Sequence, residues 1–172
     1  MSSFITPSLI VPLLVLILAQ DQTKRIKLVH DEQKQITTVL LPATQLSGPK
    51  DRYHNLAFTI YYFYPTPYPA VPKDVHFELH SVVKARRLNP DLYVVFVIDG
   101  KPVHFSSHRS VIRKPVPGKS WVGERMYFVI PREDFLKLAA AQKLSVKLGN
   151  VNFDFGEDQL EAVREMSTRI DQ

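Results

Sequence analysis

The chain contains no cysteine, and this absence excludes several kinds of site. Disulfide bonds, thiol nucleophiles, cysteine-ligated zinc and iron–sulfur clusters all need that side chain. Folding must therefore rely on the burial of apolar side chains. For an exported protein, the absence of cysteine favours a bacterial periplasm or cell exterior over a eukaryotic secretory route, in which disulfides are common.

Glycine is also scarce, with six in 172 residues. Phosphate-binding loops depend on closely spaced glycines, and none of the motifs G-x-G-x-x-G, G-x-x-x-x-G-K-S/T or G-x-S-x-G occurs. We therefore expect no cofactor. Serine–histidine catalysis needs no fixed spacing along the chain, so the sequence leaves an enzyme open as an alternative and assigns no catalytic residue.

The one long hydrophobic run lies at the N-terminus, where residues 9–19 read LIVPLLVLILA. Its length fits the roughly 7–15 residues of a secretory signal and falls short of the roughly 20 that a membrane-spanning helix needs. Ala19 offers the small residue expected before a cleavage site. We predict a signal peptide over 1–19 and a single β-rich exported domain over 20–172, periplasmic or extracellular and without a transmembrane span. An uncleaved anchor and a buried helix are the alternatives.

Alternation of apolar and polar residues predicts strands over most of the chain. Residues 75–80 read VHFELH, which has the two-residue period of a half-buried strand. Residues 92–98 are almost continuously apolar, as in a strand buried on both faces, and Asp99-Gly100 is a strong hairpin-turn sequence. Further strands are expected at 25–30, 36–41, 56–64, 103–114 and 120–130.

The last 40 residues predict a helix beginning near Pro131, a hairpin over 144–155 and a closing amphipathic helix over 157–170. The apolar stripe of the closing helix would consist of Leu160, Val163, Ser167 and Ile170. The predicted fold class is α+β, mainly β: an antiparallel sheet or sandwich, followed by a helix, a β-hairpin and a C-terminal amphipathic helix.

Positive charge is concentrated in the middle of the chain. Residues 84–125 hold nine Lys or Arg against three Asp or Glu, a net charge of +6, whereas the whole chain carries +5. Such a basic segment attracts anionic partners, for which an anionic glycan, a lipid head group or another envelope protein are the candidates. Nucleic acid is disfavoured because no zinc-finger spacing or single-strand-binding pattern occurs. An ordinary solvated surface is the alternative.

Aromatic residues and prolines are interleaved at residues 61–72, which read YYFYPTPYPAVP. Five aromatics within eight residues cannot all face one core, because neighbours in a strand point to opposite sides. Some would be exposed for recognition, or else the strand is buried on both faces and leaves the sheet through a stiff loop. The candidate binding residues of this segment and the basic one are Arg86, Arg87, Arg109, Arg113, Lys114, Tyr64 and Tyr68.

Histidine pairs four residues apart suggest a metal site, but their setting argues against one. On a strand such residues lie about 13 Å apart, too far to share an ion, so we predict no metal site. The leading hypothesis for function is non-catalytic binding or a structural role at the cell envelope. The alternative is a hydrolase or a metal-dependent enzyme whose fold gathers His76, His80, His104 and His108.

Overall fold

The computed structural model describes residues 25–46, 56–83, 94–105 and 110–170, which form ten strands and two helices. The strands are β1 Lys27–Asp31, β2 Ile36–Gln45, β3 Ala57–Pro65, β4 Asp74–Val83, β5 Val94–Ile98, β6 Lys101–Val103, β7 Ser110–Pro115, β8 Val122–Pro131, β9 Leu144–Leu148 and β10 Val151–Asp154. The helices are α1 Arg132–Ala139 and α2 Glu157–Ile170. The predicted α+β, mainly β, fold class is confirmed.

The strands divide between two sheets. The larger sheet has the order β1-β2-β3-β4-β8-β7, and the smaller has the order β10-β9-β5-β6. The strand pairs of the described residues are all antiparallel. Strand β8 joins the larger sheet beside β4, so the β7–β8 hairpin forms one margin of that sheet while β1 forms the other.

Aromatic packing joins the two sheets through one residue of β5. The ring of Phe96 stands edge-on to Phe77, with centroids 5.3 Å apart, and to Phe128, with centroids 6.1 Å apart. Edge-to-face contacts of this kind stabilise beyond the area that they bury. We call the side of the larger sheet that carries Phe77 and Phe128 the inner face, and the opposite side the outer face.

Both helices add their buried side chains to the same core. The hydroxyl of Tyr62 on β3 donates to the carbonyl oxygen of Arg169, 2.7 Å away, and so ties the end of α2 to the inner face. The predicted stripe of α2 is correct except for Ser167, which is partly exposed and donates to the carbonyl of Arg164. The residues that α2 buries are Leu160, Ala162, Val163, Met166 and Ile170.

The Asp99-Gly100 turn is as expected, with φ of 50° and 81° at its two central residues. The expectation of one strand over 103–114 is wrong. Strand β6 ends at Val103 in the smaller sheet, and β7 begins at Ser110 in the larger. Phe105 explains the interruption, because its buried ring packs 5.2 Å from Phe96 and takes the chain out of the smaller sheet.

Some predictions concern residues outside the described part of the chain. These are the signal peptide over 1–19 and the side chains of Arg86, Arg87, His108 and Arg109. Within the described ranges, no helix has the length and apolar character needed to cross a membrane.

Candidate binding site

Ionisable side chains occupy the centre of the outer face. Strand β4 points Phe77 and Leu79 inward, so the alternating positions Glu78 and His80 belong to the outer face. On β8, Tyr127 is the register partner of Glu78, and Arg125 is the register partner of His80. The helices and the smaller sheet contribute to the core on the other side, so a ligand would reach the larger sheet from its outer face.

Glu78 is only 6% exposed, although it lies on the outer face. Burial raises the pKa of its carboxyl group above the ordinary value, while a hydrogen bond from Tyr61 and the positive charge of Arg125 act in the opposite direction. Burial likewise raises the pKa of the Tyr61 hydroxyl, and the charge of Glu78 adds to that shift. The folded chain therefore holds Glu78 in surroundings that favour its neutral form.

His80 lies beside this carboxylate. Its Nε2 is 3.4 Å from Oε2 of Glu78, but the two groups are not aligned for a hydrogen bond, and this buried nitrogen finds no hydrogen-bond partner in the described part of the chain. Burial lowers the pKa of His80, and the nearby Arg125 lowers it further. The neutral imidazole is thus favoured beside Glu78.

The other histidines are spread over the fold. His76 lies on the outer face between the rings of Tyr61 and Phe63, with centroid distances of 4.9 and 5.2 Å. It is half-buried, and burial lowers its pKa. His104 is exposed just after β6, a strand of the smaller sheet, whereas the other two lie on β4 of the larger sheet. No group of three His, Asp or Glu side chains within the described ranges is placed to hold a metal ion.

A groove of about 300 Å³ lies where the outer face meets the β7–β8 hairpin. We call it the hairpin groove. Gly123 is the register partner of both Val82 and Lys114, and its missing side chain leaves space between them. A Cβ atom at Gly123 would meet only the backbone oxygen of Lys114, 3.6 Å away, which is an ordinary van der Waals contact. The lining residues are His80, Ser81, Val82, Ile112, Lys114, Pro115, Val116, Pro117, Gly123, Glu124, Arg125 and Tyr127.

The charges of the hairpin separate onto its two faces. Nε of Arg113 donates to Oε1 of the fully buried Glu124, 2.9 Å away, so these two opposite charges compensate each other. Lys114 and Arg125 are exposed and line the groove. Lys119 lies in the connecting turn, with Nζ 5.7 Å from the centroid of the Trp121 ring. The hairpin thus presents more positive than negative charge around the groove.

The structure separates the predicted binding residues that it describes. Lys114 lines the groove, whereas the neighbouring Arg113 is paired with Glu124. Tyr64 is half-buried against the core. Tyr68 is 79% exposed in the loop before β4, and β4 runs eight residues, about 26 Å, from that loop to the position opposite Gly123. The loop that carries Tyr68 and the β7–β8 hairpin therefore do not form one surface.

Sequence reasoning missed Gly123 and Arg125 as members of the groove lining, and Glu78 as the buried carboxyl group beside His80. The alternation over 75–80 already placed Glu78 and His80 on one face. The pairing of β4 with β8, which brings Arg125 and Gly123 to them, depends on strands far apart in sequence. That pairing has no local sequence pattern.

No protein-family model matches this chain, and no curated protein or solved structure matches it significantly. Function is therefore inferred from the chemistry of the hairpin groove. An anionic group in it would meet the ammonium of Lys114 and the guanidinium of Arg125, which can bond two oxygens at once. Ile112, Val116 and Tyr127 offer apolar contacts to the rest of such a ligand.

Replacing the buried carboxylate tests these electrostatics. Burial raises the pKa of Glu78, so the unfolded chain loses this proton first, and stability is lost as pH rises from the ordinary value of 4.5 through the folded pKa. The variant Glu78→Gln cannot ionise. We expect its Tm to exceed that of the wild type at pH 8 and to match it at pH 4, as measured by circular dichroism.

Glu32→Gln, an exposed position in the β1–β2 turn, is the matched control and should show no such pH-dependent gain. A lower Tm for Glu78→Gln at pH 8 would mean that the ionised carboxylate stabilises the fold through Arg125 and His80. Such a result would contradict the conclusion that the surroundings of Glu78 favour its neutral form.

Proposed function

We propose that this protein is an exported envelope protein with a non-catalytic binding role, and that its hairpin groove takes an anionic group of the partner. The observation that carries the proposal is the position of Lys114 and Arg125 around a groove that Gly123 leaves open. Arg113 neutralises the buried Glu124, so the charges that line the groove on its exposed side are positive. Such a surface attracts anions over the roughly 8–10 Å screening length of physiological salt.

The size of the groove narrows the class of ligand. A volume of about 300 Å³ is at the small end for ligand pockets and suits one sugar ring or one lipid head group. The ligand chemistry that fits is a carboxylate, sulfate or phosphate attached to a compact body with some apolar surface. Anionic glycans and phospholipid head groups both meet this description, whereas a whole polymer would extend beyond the groove along the outer face.

A hydrolase is the second candidate, favoured by one observation. Glu78 and His80 lie 3.4 Å apart and have pKa values shifted by burial, a pattern that also occurs among acid–base catalysts. The exposure of Glu78, however, is only 6%, which leaves a substrate little access to its carboxylate. We therefore assign Glu78 a structural role beneath the binding surface.

Charge reversal in the groove tests the binding role. We expect Lys114→Glu with Arg125→Glu to weaken binding to a sulfated oligosaccharide or to phosphatidylglycerol vesicles by roughly tenfold or more, the equivalent of about 1.4 kcal/mol. Isothermal titration calorimetry with each probe separates the glycan from the lipid. Lys101→Glu, on the exposed edge of the smaller sheet, makes one charge reversal of the same kind outside the groove and should have little effect.

A neutral substitution separates the effect of the groove itself from the effect of net charge on binding. Gly123→Leu places an apolar side chain at the groove without changing any charge, and its Cβ atom would make only an ordinary van der Waals contact. It should also weaken binding while leaving the circular dichroism spectrum unchanged. Binding that is insensitive to Gly123→Leu, to charge reversal and to salt would contradict the binding role. The hairpin would then be an ordinary solvated basic surface.

Export is tested separately. The apolar run at residues 9–19 motivates the proposal that the mature protein begins at or near Gln20. The intact mass of the natively produced protein should therefore lack the first 19 residues. Full-length protein recovered from the soluble cytoplasm would rule out this part of the proposal.

A further inference from the structure

Strand β1 is the outermost strand of the larger sheet, at the margin opposite the hairpin groove. It pairs with β2 on one side, and no described strand pairs with it on the other. Two of its apolar side chains point away from each other and are largely exposed, Leu28 at 68% and Val29 at 50%. An edge with free backbone groups and apolar side chains is a ready template for another strand.

The sequence of β1, KLVHD, is complementary to itself when two copies run antiparallel. With Val29 opposite Val29 of a second copy, Leu28 is opposite His30 and Lys27 is opposite Asp31. Opposite charges in directly facing positions stabilise a strand pair, and here they close both ends of it. Sliding the strands by two residues removes both ion pairs and shortens the ladder.

We propose that two copies of this chain associate through β1, in antiparallel register about Val29, so that their larger sheets join into one twelve-stranded sheet. The surroundings of β1 suit this partner. Lys27 is exposed and makes no ion pair within the described ranges. The Asp31 carboxylate accepts hydrogen bonds from the backbone N–H groups of Gln33 and Lys34, both at 3.1 Å, and pairs with Nζ of Lys34.

These contacts fix the position of Asp31 at the end of the strand while leaving its side chain partly exposed. A carboxylate has about four acceptor sites, so Lys27 of a second copy can be accommodated as a further donor. The imidazole of His30 lies within 3.3 Å of Thr37 and 3.2 Å of Thr66, on the side of β2 and away from the free edge. As far as the described residues go, the backbone edge of β1 is thus open to a second copy.

Only five residues of each copy pair, so the interface is small and the dimer should dissociate on dilution. Facing residues of paired strands point to the same side of a sheet, so the two outer faces would share one side of the dimer. If the proposed function is correct, the two hairpin grooves then lie on that side, about 40 Å apart across the strands at 4.8 Å per strand and about 50 Å apart along them at 3.3 Å per residue, which is roughly 65 Å in all. A polymer or vesicle could occupy both grooves and bind more tightly than to one copy.

The absence of cysteine provides a direct test of the register. In Val29→Cys the two new thiols would face each other, with Cα atoms about 4.5–5.5 Å apart, which is within the range for a disulfide. In the control Leu28→Cys they would be offset by two residues and about 8 Å apart, which is too far. We expect mild oxidation to give a covalent dimer of the first variant and leave the second monomeric on a non-reducing gel.

Sedimentation velocity of the unoxidised protein provides the second measurement. Wild type and Lys27→Arg should show a concentration-dependent dimer, whereas Lys27→Asp, which sets like charges opposite each other, should remain monomeric. Equal cross-linking of the two cysteine variants, or a wild type that stays monomeric at all concentrations, would overturn the proposal. Lys114→Glu with Arg125→Glu should still form the dimer, so a failure of the groove hypothesis is distinguishable from a failure of this one.

Discussion

The packing of Phe96 against Phe77 and Phe128 is the contact on which the rest of the structure depends. The chain has no disulfide to hold its two sheets together, so this aromatic contact and the core around it must do so. Burial of a phenylalanine side chain contributes roughly 1.5–3 kcal/mol, and aromatic pairing adds to this. Because the smaller sheet is held on the inner face, the two sides of the larger sheet have different roles.

The outer face shows the consequence of this asymmetry. Its alternating positions carry ionisable residues, and the sheet brings them close enough to bury one another. Glu78 is covered by its neighbours and burial raises the pKa of its carboxyl group, while burial lowers the pKa of the neighbouring His80. Towards the β7–β8 margin the ionisable side chains become exposed, and Lys114 and Arg125 border an open groove. This change from buried to exposed ionisable groups is what distinguishes the groove from the rest of the face.

Much of the fold could be predicted from local patterns. Alternation over 75–80 identified the inward residues of β4, and Asp99-Gly100 identified a turn that needs two positive φ angles. The prediction of one strand over 103–114 failed because Phe105 packs into the core, a tertiary contact without a local pattern. The order of the strands in the larger sheet likewise depends on which distant segments meet.

The candidate site was less predictable for the same reason. Charge density indicated the segment that borders the groove, but it could not distinguish Lys114 from Arg113. Their positions in β7 distinguish them, because adjacent residues of a strand point to opposite faces of the sheet. Only Arg113 lies on the side where its side chain meets Glu124. Tyr68 was grouped with them on composition alone, yet the length of β4 separates it from the groove. Sequence thus provided residue types, and strand pairing determined which of them share a surface.

Nuclear magnetic resonance provides the sharpest test of whether the hairpin groove receives an anionic group. A ¹⁵N-labelled sample would be titrated with a sulfated oligosaccharide at low salt while the backbone amides are followed. We expect shift changes concentrated at Ile112, Lys114, Gly123 and Arg125. Changes confined to the loop around Tyr68, or none at saturating probe, would contradict the proposed binding role of the groove.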